Sequence, residues 1–117
     1  MSRAPTNHFI SVSRKGELIA RRKGQAPARI ADARRGLTVQ PPADAVGRGV
    51  PPLLCVMFAH GGGINRVVCV TEIVVDDRRM DVWAFQEQYA VSDDELGLWM
   101  RAAVEAALDA ALGTAGS

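Results

Sequence analysis

The stretch SDDELGLWMRAAVEAALDAALG, residues 92–113, decides the fold. Ser92 stands where a helix N-cap would, with Asp93, Asp94 and Glu95 behind it in the first turn. Glu95 holds the capping-box position, from which its carboxylate reaches back to the Ser92 amide. Leu96, Trp99, Met100, Ala103, Val104, Ala107, Leu108, Ala111 and Leu112 then recur at three- and four-residue spacing, an apolar stripe that Gly113 ends. The pattern predicts an amphipathic helix over 92–112, roughly 30 Å long. Alanines dominate its buried side, so its backbone can approach a support closely, with Trp99 and Met100 filling the thicker end.

The support comes from upstream. Leu53 to Ala59 and Arg66 to Val75 are apolar, β-branched-rich runs, and His60-Gly61-Gly62-Gly63-Ile64-Asn65 separates them as a hairpin loop would. Asp76-Asp77-Arg78-Arg79 supplies a second polar turn. Met80 to Val91 then alternates, with Trp83, Phe85, Tyr89 and Val91 on one face, which predicts a third strand. Nearer the N-terminus, His8 to Ser13 and Leu18 to Ala20 read as extended runs joined through Arg14-Lys15-Gly16-Glu17. Residues 24–52 hold five of the six prolines and few large apolar side chains, so most of this Pro/Gly/Arg-rich connector is expected to be irregular. Pro27 and Gly36 bracket Ala28 to Arg35 as about two turns of helix.

The fold class that follows is α+β. An antiparallel sheet, made of an N-terminal hairpin (8–23) and a three-stranded meander (53–91), carries one long C-terminal amphipathic helix on one face. The 117 residues are expected to form a single domain. The second face of the sheet also carries Val, Ala and Cys, which the hairpin, the connector or another subunit has to cover.

Composition narrows the function classes. Apolar residues at 48% and charged residues at 23% describe a globular chain rather than a disordered one. The longest apolar run, Leu53 to Ala59, has seven residues, far short of the ~20 a membrane-spanning helix needs. With no charged-then-apolar leader, the expected location is the cytoplasm or an assembled particle. Cys55 and Cys69 lie inside apolar runs without C-x-x-C spacing and are expected to be buried reduced thiols; with His8 and His60 they form no recognisable metal-ligand spacing. There is no phosphate-binding loop of the Walker type and no G-x-G-x-x-G after a strand, so no cofactor is expected.

Ala59-His60-Gly61-Gly62-Gly63 after an apolar strand resembles the oxyanion-hole loop of lipase-like α/β-hydrolases over about ten residues. That resemblance implies an esterase-like enzyme with a G-x-S-x-G nucleophile elbow downstream. Here the serines after residue 60 are Ser92, the expected helix cap, and Ser117. An oxyanion hole without a nucleophile has no reaction to stabilise. The loop reads instead as a plain hairpin connection, or as an anion-binding nest of His60, Gly61, Gly62, Gly63 and Arg66. Glu72 and Glu87 interrupt apolar faces, but a turn centred in 76–79 sets Glu72 opposite Trp83 and leaves the two acids about 13 Å apart at strand rise. Glycosidic pairs need about 5 to 9.5 Å. Each acid is therefore expected at a sheet rim or beside an arginine such as Arg66 or Arg101.

Charge is the informative asymmetry. Residues 1–48 hold ten of the fourteen Arg and Lys residues against three acids, a net +7, whereas residues 49–117 hold four bases against ten acids, a net −6. Arg14, Lys15, Arg21, Arg22 and Lys23 cluster at the hairpin, with Arg29, Arg34 and Arg35 following. These eight are the predicted contacts to a partner or to nucleic acid. Phe9 is the only aromatic in the basic half, which leaves base stacking without a platform. Opposite charge at the two ends makes the chain complementary to copies of itself. The expected function is therefore non-enzymatic: a self-associating or structural component of a larger complex, such as a virion or secretion machine. A nucleic-acid-binding accessory protein is the alternative.

Overall fold

The computed structural model describes residues 8–13, 15–22, 24–32, 34–60 and 68–113, with the backbone alone for His8, Phe9, Ala59, His60, Val68 and Cys69. The fold is α+β. Three antiparallel strands, β1 (His8–Val12), β2 (Glu17–Arg22) and β3 (Ala28–Asp32), form a small sheet in that order. A second antiparallel sheet runs β4 (Leu37–Val39), β5 (Leu54–His60), β6 (Val68–Val75), β7 (Arg78–Asp81). The helices are α1 (Ala43–Gly47), α2 (Val82–Tyr89) and α3 (Asp93–Ala111).

The long helix forms as its sequence dictates. The Ser92 hydroxyl accepts the Glu95 amide at 3.1 Å, and Gly113 takes a positive φ just past the C-cap. The Glu95 carboxylate bonds Arg48 Nη1 at 2.8 Å, tying the helix start to the segment after α1. That guanidinium, with the Ser92 amide contributing, holds the Glu95 carboxyl below its ordinary value. A lowered folded-state pKa stabilises above the unfolded value and stops doing so as pH falls through the folded one. Acidification from neutral pH through about 4.3 and below should thus destabilise the wild type more than Glu95→Gln, as urea midpoints at each pH would register.

Along α3, Leu96, Trp99, Val104 and Leu108 are buried. The first half closes a core of Val39, Val56, Ile73, Phe85 and Trp99 over the larger sheet. The second half closes a core of Val12, Leu18, Ala20, Leu37, Val104 and Leu108 against the smaller one. Phe58, Met100 and Ala103 touch both cores, so one helix bridges the two sheets.

Three segments depart from the sequence expectation. Ala28–Asp32 is a strand rather than a helix: Ala28 pairs with Ala20 and Arg29 with Ile19. With Ile30 as its only large apolar side chain the segment could not anchor a helix, whereas pairing with β2 satisfies its backbone groups and adds an edge strand. Gly36, expected to cap that helix, sits at φ +81 in the turn after β3, where its amide bonds the Asp32 carbonyl at 3.0 Å. Most of the connector lies outside regular elements as expected, with β3, β4 and α1 the elements within 24–52.

The third strand of the meander stops at Asp81. The Asp81 carboxylate accepts the Trp83 amide at 3.1 Å and caps α2, which ends at Ala90 in the left-handed region at φ 54. Residues 85 and 89 satisfy an i, i+4 pattern as well as an alternating one, and the helix wins: the Phe85 and Tyr89 rings meet at 5.0 Å while Trp83 is 78% exposed. The preceding hairpin turn is tighter than expected. Asp76 and Asp77 both take positive φ, Val75 pairs with Arg78, and Glu72 therefore faces Asp81 instead of Trp83.

The second face of the larger sheet is covered in part by the connector. The turn before β4 lies over β5, where the Cys55 thiol donates to the Arg35 carbonyl at 2.7 Å. Cys55 is half-buried on this outward face rather than fully buried. Burial pushes its pKa above the ordinary thiol value, with Arg79 pulling the other way.

Candidate functional site

The predicted basic cluster divides into two populations. Lys15, Arg34 and Arg35 are exposed in two turns that the Glu17–Asp32 pairing brings to one end of the small sheet. Arg21 is exposed in β2, alternating with the buried Leu18 and Ala20, and Arg29 is exposed in β3 with its Nε 3.6 Å from Glu17. Arg14 and Lys23 lie outside the described residues.

Arg22 does something else. It shares the parity of Leu18 and Ala20 along β2 and reaches α3, where its Nη2 lies 2.5 Å from Glu105 Oε2 and 2.6 Å from Asp109 Oδ1, with Nε on Glu105 at 3.0 Å. The hydrogen bonds to Glu105 and Asp109 raise the guanidinium pKa above its ordinary value. Arg22 clamps the basic half of the chain to its acidic half. Replacing Glu105 and Asp109 together by Gln and Asn should lower the melting temperature, and the gap to wild type should narrow with salt as exposed charges are screened. A gap independent of salt would assign the effect to packing.

Among the described residues the chemistry-bearing candidates do not converge. Glu72 accepts from Arg79 Nη1 at 3.1 Å, a partner the sequence reading did not name, and Glu87 is exposed on α2. His60 pairs through its backbone with Val68 at the end of β5, and Gly61, Gly62, Gly63 and Arg66 lie outside the described residues, as does any anion-binding nest they form. Among the described residues no three His, Cys, Asp or Glu side chains gather as a metal site, and no helix is long and apolar enough to cross a membrane.

A concave surface that the sequence reading missed lies beside α3. One stretch, about 480 Å³, runs between the helix and the strand edges, lined by Ile30, Ala31, Gly36, Leu37, Thr38 and Gln40 on one side and Ala102, Ala103, Ala106 and Ala107 on the other. A second, about 420 Å³, continues it toward the helix start past Pro42, Asp44, Glu95, Leu98 and Trp99. The two share Gln40 and Ala102 and so follow one course. Strands β3 and β4 are edge strands of their sheets, and Leu98 stands 59% exposed at the rim. The signal was present in the sequence: Leu98, Ala102 and Ala106 recur every four residues on a second stripe of the helix, behind the longer stripe that fills the core.

Comparison of the chain with protein families, curated proteins and solved structures finds no match.

Proposed function

We propose that this chain is a non-enzymatic assembly protein, a self-associating component of a larger complex. The apolar groove along α3, continuous over most of the helix and rimmed by an exposed leucine, is the observation that carries the reading. A large apolar side chain exposed at the rim of a concave surface gives a partner an anchor point. The walls beside Ala102 and Ala106 are small, and of the two carboxylates at the other end, Asp44 and Glu95, the second is engaged by Arg48, which favours binding over turnover.

A second reading, nucleic-acid binding, draws on the exposed Lys15, Arg21, Arg29, Arg34 and Arg35 of the small sheet and its turns. Sedimentation velocity near 150 mM salt, with and without short mixed-sequence duplex and single-stranded DNA, separates the two. Discrete oligomers indifferent to DNA are expected. A monomer that co-sediments with DNA, in a complex weakening steeply with salt, would replace the first reading by the second.

A further inference from the structure

We infer that the groove beside α3 is a two-fold self-docking surface, filled by a second copy of this chain whose α3 runs antiparallel and whose Leu98 seats over Ala106. The inference rests on the self-association proposed above and specifies its surface, direction and register.

Three observations converge on a second copy as the occupant. The first is knob and hole on one ridge. Ala102 stands midway between Leu98 and Ala106 along the exposed stripe, so a two-fold axis passing at Ala102 brings the exposed leucine of each copy onto the small alanine of the other. Ala102 and Ala106 are themselves exposed and present only methyl groups, so the helices can approach toward the short end of the 8–10 Å interaxial range.

The second is charge along the groove. Arg34 and Arg35, both exposed, precede Gly36 and Leu37 of the groove wall, and Leu37 packs with Val104 and Leu108 toward the C-terminal end of α3. Exposed Asp44 lines the opposite end, beside Glu95 and Leu98. Arg22 already offsets Glu105 and Asp109 at the first end, and Arg48 offsets Glu95 at the second. The groove is left positive at one end and negative at the other. Antiparallel copies set each Arg34-Arg35 turn near the other copy's Asp44, whereas parallel copies would set like against like.

The third is the direction of α3 itself. Parallel packing would stack the three first-turn acids of both copies, whereas antiparallel packing about Ala102 sets them against a last turn whose one acid, Asp109, is engaged by Arg22. Antiparallel packing also sets the positive end of each helix dipole beside the negative end of the other.

The test uses the full chain and two variants whose side chains are exposed and should leave folding intact, as circular dichroism would verify. Leu98→Asp should weaken the dimer by about thirtyfold or more in sedimentation velocity, as loss of a central anchor does. Ala102→Cys, on the two-fold axis, should oxidise to a covalent dimer on a non-reducing gel, well above the background of the wild type and of Gln25→Cys, in the turn after β2, which lines neither stretch of the groove. A wild type that oligomerises while Leu98→Asp associates normally and Ala102→Cys fails to cross-link would overturn this surface and leave self-association standing. A wild type monomeric at about 1 mM would remove both.

Discussion

Replacing Phe85 by alanine should cost about 3–5 kcal/mol of unfolding free energy, the largest effect expected of any single truncation outside α3. The side chain is fully buried in the core under the larger sheet, and its ring lies 5.0 Å from that of Tyr89 one helical turn on. Truncation removes the transfer energy of the ring and leaves a cavity between α2 and the sheet that a short helix cannot close. Trp83→Ala is the matched control. Trp83 lies two residues earlier and is 78% exposed, so its loss should fall within about 0.5 kcal/mol. Were this segment a strand, the two side chains would share a face and cost alike. Urea unfolding of both variants, with m-values unchanged, decides the matter; equal losses would sink the helix assignment along with the prediction.

Gly36→Ala should cost about 2–5 kcal/mol, more than almost any other methyl added to this chain. Two penalties fall on one atom. At φ +81 an L side chain is strained whatever surrounds it, and a Cβ here would lie 2.6 Å from the Val56 carbonyl oxygen, 2.7 Å from Met57 Sδ and 2.8 Å from Cys55 Sγ. Sulfurs on flexible side chains can move aside. The Val56 carbonyl belongs to the backbone of β5 and can give way only if the turn joining the two sheets lifts from the strand. Gly16 separates the penalties: it has the same φ +81 with nothing within 4 Å, so Gly16→Ala should show the conformational cost alone, about 1–2 kcal/mol. If the two variants melt together, the contact with β5 contributes nothing.

Both predictions fall where the sequence was least legible. The helix α3 could be read because two independent signals, an Ser-capped acidic start and a long apolar stripe, agreed over 19 residues. The hairpins β1–β2 and β5–β6 were legible for a similar reason, with turn chemistry between β-branched runs. The segment of α2 offered a single signal, apolar residues at 83, 85, 89 and 91, which fits a strand and half fits a helix; the deciding cap on Asp81 resembles any turn aspartate. No local reading could have found β3. Its strand character comes from β2 lying beside it, and an edge strand with one large apolar residue carries little pattern of its own.

The interaction surfaces follow the same logic. The charge imbalance between the chain's halves was plain, but which charges are engaged was not, because Arg22 meets Glu105 across 83 positions. The groove beside α3 was written in Leu98, Ala102 and Ala106 yet passed over, since a helix with one strong stripe invites no search for a second. A groove also needs two walls, and the wall supplied by β3 and β4 is visible only once the sheets are in place.

The bridge that α3 makes between the sheets sets an order of events in biosynthesis. Leu18 and Ala20 of β2 are sealed by Val104 and Leu108, some eighty positions downstream. At about 5–20 residues per second of translation, the small sheet waits on the order of ten seconds after emerging before its cover exists. During that interval its apolar face is open to solvent and to neighbouring nascent chains. A message truncated before codon 104 would make the exposure permanent, yielding a product with an uncovered sheet and a strong tendency to aggregate. The long helix is in this sense the step that closes the fold over the small sheet, and quality control that inspects Leu18 and Ala20 is reading whether Val104 and Leu108 have arrived.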